Sequence, residues 1–441
     1  MQTPIYDYVR TYAKADAVRL HMPGHKGRGI GGDWLSAVYP LDITEIDGAD
    51  SLYDADGIIR ESEQNAAALF GTAATCYSAE GSSLAIRAML AMMKQERRTV
   101  VAVRNVHRSF LSACVLLGLN VRWVYPEYTG GILSGEISPK AVEAVLRQVD
   151  GPACVYLTSP DYLGKCAHIA AIKAVCSRYQ APLLVDNAHG AHLALFEPSR
   201  HPIALGADLC CDSAHKMLPA LTGAAYLHVG NPDYADRAKA AMALFGSTSP
   251  SYLILASLDL CNRYLEVQAR PALRSVLRRL KLLRERCAPF VFYPGEELHL
   301  TICAAESGID GHRLAQLLRA QGMIPEYYDH EFVVLLCSPA TTDSELGKLE
   351  ETLCGIIPLL GEKLEAEPFC APQLITARSM RNAALGEYET ISVEEASGRI
   401  CAGVRVPCPP ALPIAVSGEV IDDTCVNIFK RYGILRVDVV K

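Results

Sequence analysis

From about residue 62 to residue 230, short apolar runs alternate with stretches of helical period. The runs at 99–103, 121–125, 153–158, 183–186, 209–212 and 224–229 are mostly apolar, as in Leu183-Leu184-Val185. A strand covered on both faces reads this way, whereas a half-exposed strand alternates. Helical stretches at 139–148 and 169–179 fall between the runs. This alternation predicts a mostly parallel α/β sheet. Upstream, residues 1–60 are rich in Gly, Pro and Asp and weakly periodic, so they read as an irregular arm with a short helix near 6–12. Downstream, 251–287 reads as a long helical stretch with a break at Pro271. A strand at 298–303, a helix at 311–321, a strand at 332–336 and a helix at 342–356 then predict a small α+β domain. The run from Val406 to Pro413 is too proline-rich for a helix or a central strand, and is expected to wrap over other parts. The organisation expected is an arm (1–60), a large domain (61–290) and a smaller C-terminal domain (291–441).

Composition narrows the classes of function. The formal net charge is −7, without a basic block, which argues against nucleic acid as a partner. The N-terminus lacks the basic start and apolar core of a signal peptide, and no apolar run is long enough to span a bilayer. The 16 cysteines are scattered, with no CxxC pair, so reduced thiols in a cytoplasmic protein are expected.

The candidate chemistry lies where apolar runs end. In open α/β sheets ligands bind at the carboxyl ends of the strands. Lys216 follows one such end, in Asp212-Ser213-Ala214-His215-Lys216, although a lysine there can be a plain surface residue. Asp186 ends another, followed by Asn187-Ala188-His189. A carboxylate there suits a pyridinium nitrogen, and it equally suits a helix N-terminus. The pair His189 and His192 lacks a matching third ligand, so no metal is expected. Gly81-Ser82-Ser83 open an apolar helix, a setting that suits a phosphate or ordinary capping. His107 follows a third strand end, where its ring could stack on a flat cofactor or be structural. The glycines from Gly27 to Gly32 follow no strand and are not read as a dinucleotide loop.

Taken together, these segments resemble the prokaryotic Orn/Lys/Arg decarboxylases, pyridoxal 5'-phosphate (PLP) enzymes of the aspartate-aminotransferase fold. The likeness runs along nearly the whole chain. His21-Met22-Pro23-Gly24-His25-Lys26-Gly27 is similar to the family's HxPGHKxG segment, and Asp42-Ile43-Thr44-Glu45-Ile46-Asp47-Gly48 to its DxTEhxG segment. Ser213-Ala214-His215-Lys216 with Leu218-Pro219-Ala220-Leu221-Thr222 is similar to SxHKxLxALT, and Ser247-Thr248-Ser249-Pro250-Ser251-Tyr252 to STSPSY. The resemblance implies fold type I: a large domain built on a mostly parallel seven-stranded sheet, and a smaller α+β C-terminal domain. It implies Lys216 as the Schiff-base lysine, Asp186 at the pyridine nitrogen and His107 on the ring. His189 would lie near the cofactor's phenolic oxygen or the substrate carboxylate. Gly81, Ser82, Ser83, Ser213 and His215 would surround the phosphate. Ser247 and Thr248 would reach the phosphate of a neighbouring subunit, which implies a homodimer with shared active sites. The compact N-terminus is read as a short form without the wing domain of larger members.

The implied reaction is decarboxylation of an amino acid, most readily arginine, lysine or ornithine. An aminotransferase, a lyase or a non-catalytic PLP-binding protein on the same scaffold are the alternatives. Asp161, Glu45 and Asp50 are candidates for the distal cation of a basic substrate. Several neighbours depart from the family pattern. Asn187 replaces the Glu of DEAH, Ala214 a Thr, Gly223 a Gln, Asp161-Tyr162 a Thr-Tyr pair, Asp50-Ser51-Leu52 a DDL segment, and Cys408-Pro409-Pro410-Ala411 a YPPG segment.

Overall fold

In the computed structural model the apolar runs are strands, and all residues are described except 30, 31, 33, 367, 368 and 404–411. The segment Cys408 to Ala411 lies outside the described residues, as does part of the glycine cluster near Gly29. The chain forms two compact units: Met1–Glu96 with Pro182–Leu273, and Arg97–Ala181 with Arg274–Lys441.

The first unit contains four neighbouring strands in the order Ala74–Ser78, Ala225–Val229, Leu209–Asp212, Leu183–Asp186. The last two pair in parallel, Val185 opposite Cys210, and the other two pairings are antiparallel. Strand Ala74–Ser78 is absent from the sequence prediction, because its Thr and Ser interrupt the apolar run. Those polar atoms are satisfied internally: Thr75 Oγ1 lies 2.9 Å from His228 Nδ1, and Ser78 Oγ donates to Gly81 O. Helix Pro4–Lys14 covers the short helix expected near 6–12, and its Tyr6 amide donates to Asp259 in helix Tyr252–Val267. The break expected at Pro271 falls instead at Gln268, between Tyr252–Val267 and Ala269–Arg286. Pro271 sits in the first turn of the second helix, where a missing N–H costs no intrahelical bond.

In the second unit strands Ala153–Thr158, Thr99–Val103 and Val121–Val124 neighbour one another in that order, all parallel. With the four of the first unit they make up the seven strands expected. Two three-stranded antiparallel sheets follow. One joins His299–Cys303, Phe332–Leu336 and Tyr327–Tyr328, and the other joins Tyr388–Ser392, Arg436–Val440 and Cys401–Gly403. Only two strands of the first, at 298–303 and 332–336, were anticipated. The second uses short strands interrupted by charged residues, beside helix Asp423–Arg431, whose apolar face buries Val426 and Phe429. Residues after 411 do more than wrap: Cys401 N bonds Glu419 O and Ile421 N bonds Arg399 O, stitching them to this sheet.

A buried ion pair ties the same region to strand Thr99–Val103. Arg104 Nη1 and Nη2 donate to Glu419 Oε1 and Oε2 at 2.9 and 2.7 Å, and Nη2 also reaches Ile414 O at 3.2 Å. The guanidinium lies 4.7 Å from the centre of the Trp123 ring. Glu419 Oε2 additionally accepts from Val416 N at 2.8 Å. Both carboxylate oxygens and both terminal guanidinium nitrogens of the buried pair are thereby hydrogen-bonded.

Candidate active site

Strands Leu183–Asp186 and Leu209–Asp212 run in parallel, so their carboxyl ends lie side by side. One delivers Asp186 and, three residues later, His189. The other delivers Ser213, His215 and Lys216, the last two on the one-turn helix Ala214–Met217. Lys216 Nζ donates to His189 Nε2 at 3.0 Å. Asp186 is buried, and its Oδ1 accepts from Ala188 N at 3.2 Å with Cys211 Sγ at 3.6 Å.

A third loop completes this part of the site. Gly81 precedes helix Ser82–Gln95 with φ +73 and ψ 177, a conformation that belongs almost to glycine alone. Its amide donates to Gly223 O at 2.7 Å. Gly223 itself has φ +97, and a Cβ there would meet Ala79 O at 3.0 Å. The departure at 223 therefore goes with a backbone turn that needs glycine. Ser213 Oγ donates to Ser82 Oγ at 2.8 Å, joining the two loops. His215 Nδ1 donates to Ala224 O at 2.9 Å, and burial lowers the basicity of this imidazole. Ser247 and Thr248 are exposed, and the Ser247 amide donates to Glu80 Oε1 of the same chain at 2.6 Å.

His107 belongs to the second unit. It caps helix Arg108–Leu117, its Nδ1 accepting from Ser109 N at 3.2 Å, and Arg104 anchors the loop that carries it.

The acidic candidates for a substrate cation have structural partners. Asp161 is buried. Its carboxyl accepts from the Ser134 hydroxyl and from the amides of Gly135, Leu163 and Lys165. Asp50 accepts from the amides of Ser51, Asp56, Gly57 and Ile59, with that of Arg60 at 3.4 Å, and these bonds outweigh its burial and hold its carboxyl below the usual range. Glu45 is exposed and accepts from Ser51 Oγ at 3.1 Å. A departure from a family motif thus need not mark the substrate pocket.

Burial raises the Asp161 carboxyl from 3.8 to about 6 despite its four donors. A raised acid favours the folded state when protonated. Its contribution is full below about pH 4 and is lost as pH rises through about 6. Asp161→Asn removes this term, although it also loses an acceptor. The variant's stability relative to the parent is therefore expected to rise by about 3 kcal/mol between pH 4 and 7, measured by denaturant unfolding.

Sequence reasoning missed two groups. Asp212 heads the Lys216 segment and was assigned no role, yet it lies fully buried between His201, His228 and Asn187. Asp212 stands two residues before Ala214, one of the family departures, and its partner Asn187 is another. That coincidence was the available signal. Glu419 gave none, because its partner Arg104 lies 315 positions away.

The major-domain model of the Orn/Lys/Arg decarboxylases matches residues 3–291, and the model of their C-terminal domain matches 362–432. An arginine decarboxylase of Halalkalibacterium halodurans is 30% identical over 96% of this chain and 92% of its own length. An arginine decarboxylase of Bacillus subtilis is 28% identical over 98% and 94%. Among solved structures, a Francisella novicida lysine decarboxylase superposes with a TM-score of 0.84 at 15% identity, covering 100% of this chain and 81% of that one. At that identity the likeness concerns the fold.

Proposed function

This chain belongs to the Orn/Lys/Arg decarboxylase family, and from that premise we propose how its residues carry out the reaction. It is a PLP-dependent decarboxylase of a basic amino acid. The observation that carries the assignment of roles is the 3.0 Å contact between Lys216 Nζ and His189 Nε2 beside the buried Asp186. The residues present suit the cofactor. A carboxylate ends one strand, an amine follows the next, and Gly81, at φ +73, opens a helix N-terminus beside them.

Lys216 would hold pyridoxal phosphate through its amine, and the group would supply a conjugated ring able to accept an electron pair from the substrate's α-carbon. Asp186 would keep the ring nitrogen protonated. Gly81, Ser82, Ser83, Ser213 and His215 would bind the phosphate, and His107 would stack on the ring. Ser247 and Thr248 reach the phosphate of the second subunit of a homodimer. His189 orients the Lys216 amine, and one of these two groups returns a proton to the α-carbon after CO₂ departs. The arm (1–60), large domain (61–290) and small domain (291–441) belong to the same reading, as does a cytoplasmic location. Among the described residues no helix is long and apolar enough to cross a membrane.

Arginine is the proposed substrate, since the relatives at 28% and 30% identity that match most of this chain are arginine decarboxylases. Incubating the PLP-loaded protein with arginine, lysine, ornithine and a broad amino-acid panel tests this. CO₂ and the matching amine from arginine are expected. Keto acid in their place would mark an aminotransferase, and no turnover with any amino acid would mark a binding protein.

A further inference from the structure

Behind the strand ends of the first unit lies a buried polar cluster that the reaction does not use directly. Asp212, fully buried, accepts through Oδ1 from Asn187 Nδ2 at 2.7 Å and through Oδ2 from His201 Nε2 at 3.0 Å. His228 Nε2 lies 3.2 Å from the same Oδ2, and Cys210 Sγ lies 3.8 Å from Oδ1. His201 Nδ1 accepts from the Ile203 amide, which leaves the Nε2 proton for the carboxylate. Phe70 lies against both imidazoles, its ring centre 5.5 and 4.3 Å from theirs. Burial alone would raise the Asp212 carboxyl, but the two imidazoles outweigh it and hold this group well below the ordinary range. The cluster is thus a fixed anion surrounded by donors.

Its position gives that anion a task. Asn187 stands between Asp186 and His189, and its Oδ1 has no donor among the described residues, so Asp212 is what fixes its amide. Asp212 is also the last residue of the strand that leads into Ser213 and Lys216. A hydrogen bond of 2.7 Å therefore ties together the two loops whose side chains meet in the Lys216–His189 contact.

We propose that Asp212, acting through Asn187, is a positioning residue that sets Asp186 and His189 against Lys216 and thereby tunes cofactor affinity and turnover. The inference rests on the functional reading above. His201, Cys210 and Asp212 also present atoms within 4.8 Å of one another, close enough for a metal ion. The donor set favours the hydrogen-bonded anion, since both imidazoles point to one oxygen of a single carboxylate.

The test uses Asp212→Asn and Asn187→Ala, the latter cutting the side-chain link while the Asn187 amide still donates to Cys211 O at 2.9 Å and Asp212 keeps its two histidines. Apoprotein is titrated with pyridoxal phosphate by visible absorbance, the band is followed against pH, and kcat and KM are measured. For Asn187→Ala we expect cofactor affinity and kcat to fall about 10- to 100-fold, as for partners that orient first-contact ligands elsewhere. The pH at which the band titrates should shift, while KM and the thermal midpoint of the apoprotein stay near the parent's. The double variant should bind cofactor no more weakly than Asp212→Asn, because both act through one contact. Parental affinity, band and pH profile in Asn187→Ala would overturn the inference, as would additive losses or stoichiometric zinc in the purified protein. If the parent itself shows no visible band with added cofactor, it is the functional reading that fails.

Discussion

Lys216→Ala is expected to abolish the visible absorbance of the cofactor-loaded protein and to lower turnover by at least about 10⁴-fold. On the reading proposed above, the side chain would supply the amine that holds the cofactor and be one of two groups able to return the α-proton. Its removal therefore takes away both attachment and acid–base chemistry. Lys216 is solvent-exposed in a one-turn helix, where its Nζ lies 3.0 Å from His189 Nε2. Losing it should change the apoprotein's thermal midpoint by only a few degrees, so the loss of activity separates from folding. The check is the visible band before reduction and, after borohydride reduction and dialysis, the near-ultraviolet cofactor absorbance that stays with the protein as a stable secondary amine. Such protein-bound absorbance in Lys216→Ala would place the attachment elsewhere.

The largest expected loss of stability comes from Arg104→Met, at about 3–5 kcal/mol. The side chain is 3% exposed and Glu419 is 1% exposed, so the variant leaves a carboxylate buried with, among the described residues, the Val416 amide as its remaining donor. Burying an unpaired charge costs more than the pair contributes, which is why breaking one partner exceeds the cost of replacing both. Arg104→Met combined with Glu419→Leu is accordingly expected to recover part of the loss. Denaturant unfolding of the single and double variants measures both effects. Because Arg104 begins the loop that ends at His107, the single variant should also weaken cofactor binding.

The parallel strands were legible because burial on both faces writes a continuous apolar run, as at Leu183–Asp186 and Ala153–Thr158. Asp186, His107 and Lys216 stood out as candidates because they follow the places where those runs stop. Strand Ala74–Ser78 was not legible, since its polar side chains are answered by partners such as His228 that lie far along the chain. The sheet of Tyr388–Ser392, Arg436–Val440 and Cys401–Gly403 escaped for a related reason. Its strands are short, and Glu389 and Arg399 pair across the surface instead of marking a loop. Asp161 was misleading in the opposite way. A carboxylate in a motif position suggested a substrate contact, whereas its four donors belong to the turns around it.

Strand Ala74–Ser78 carries a consequence for synthesis of the chain. Its neighbour in the sheet order is Ala225–Val229, paired residue for residue from Ala74 with Val229 to Ser78 with Ala225. On a ribosome adding about 5–20 residues each second, the first strand waits roughly 10–30 s for that partner. Through this interval a nascent chain presents an unpaired edge containing Cys76 and Tyr77, both buried in the finished protein. The longer this interval lasts, the longer that edge is open to pairing with another chain.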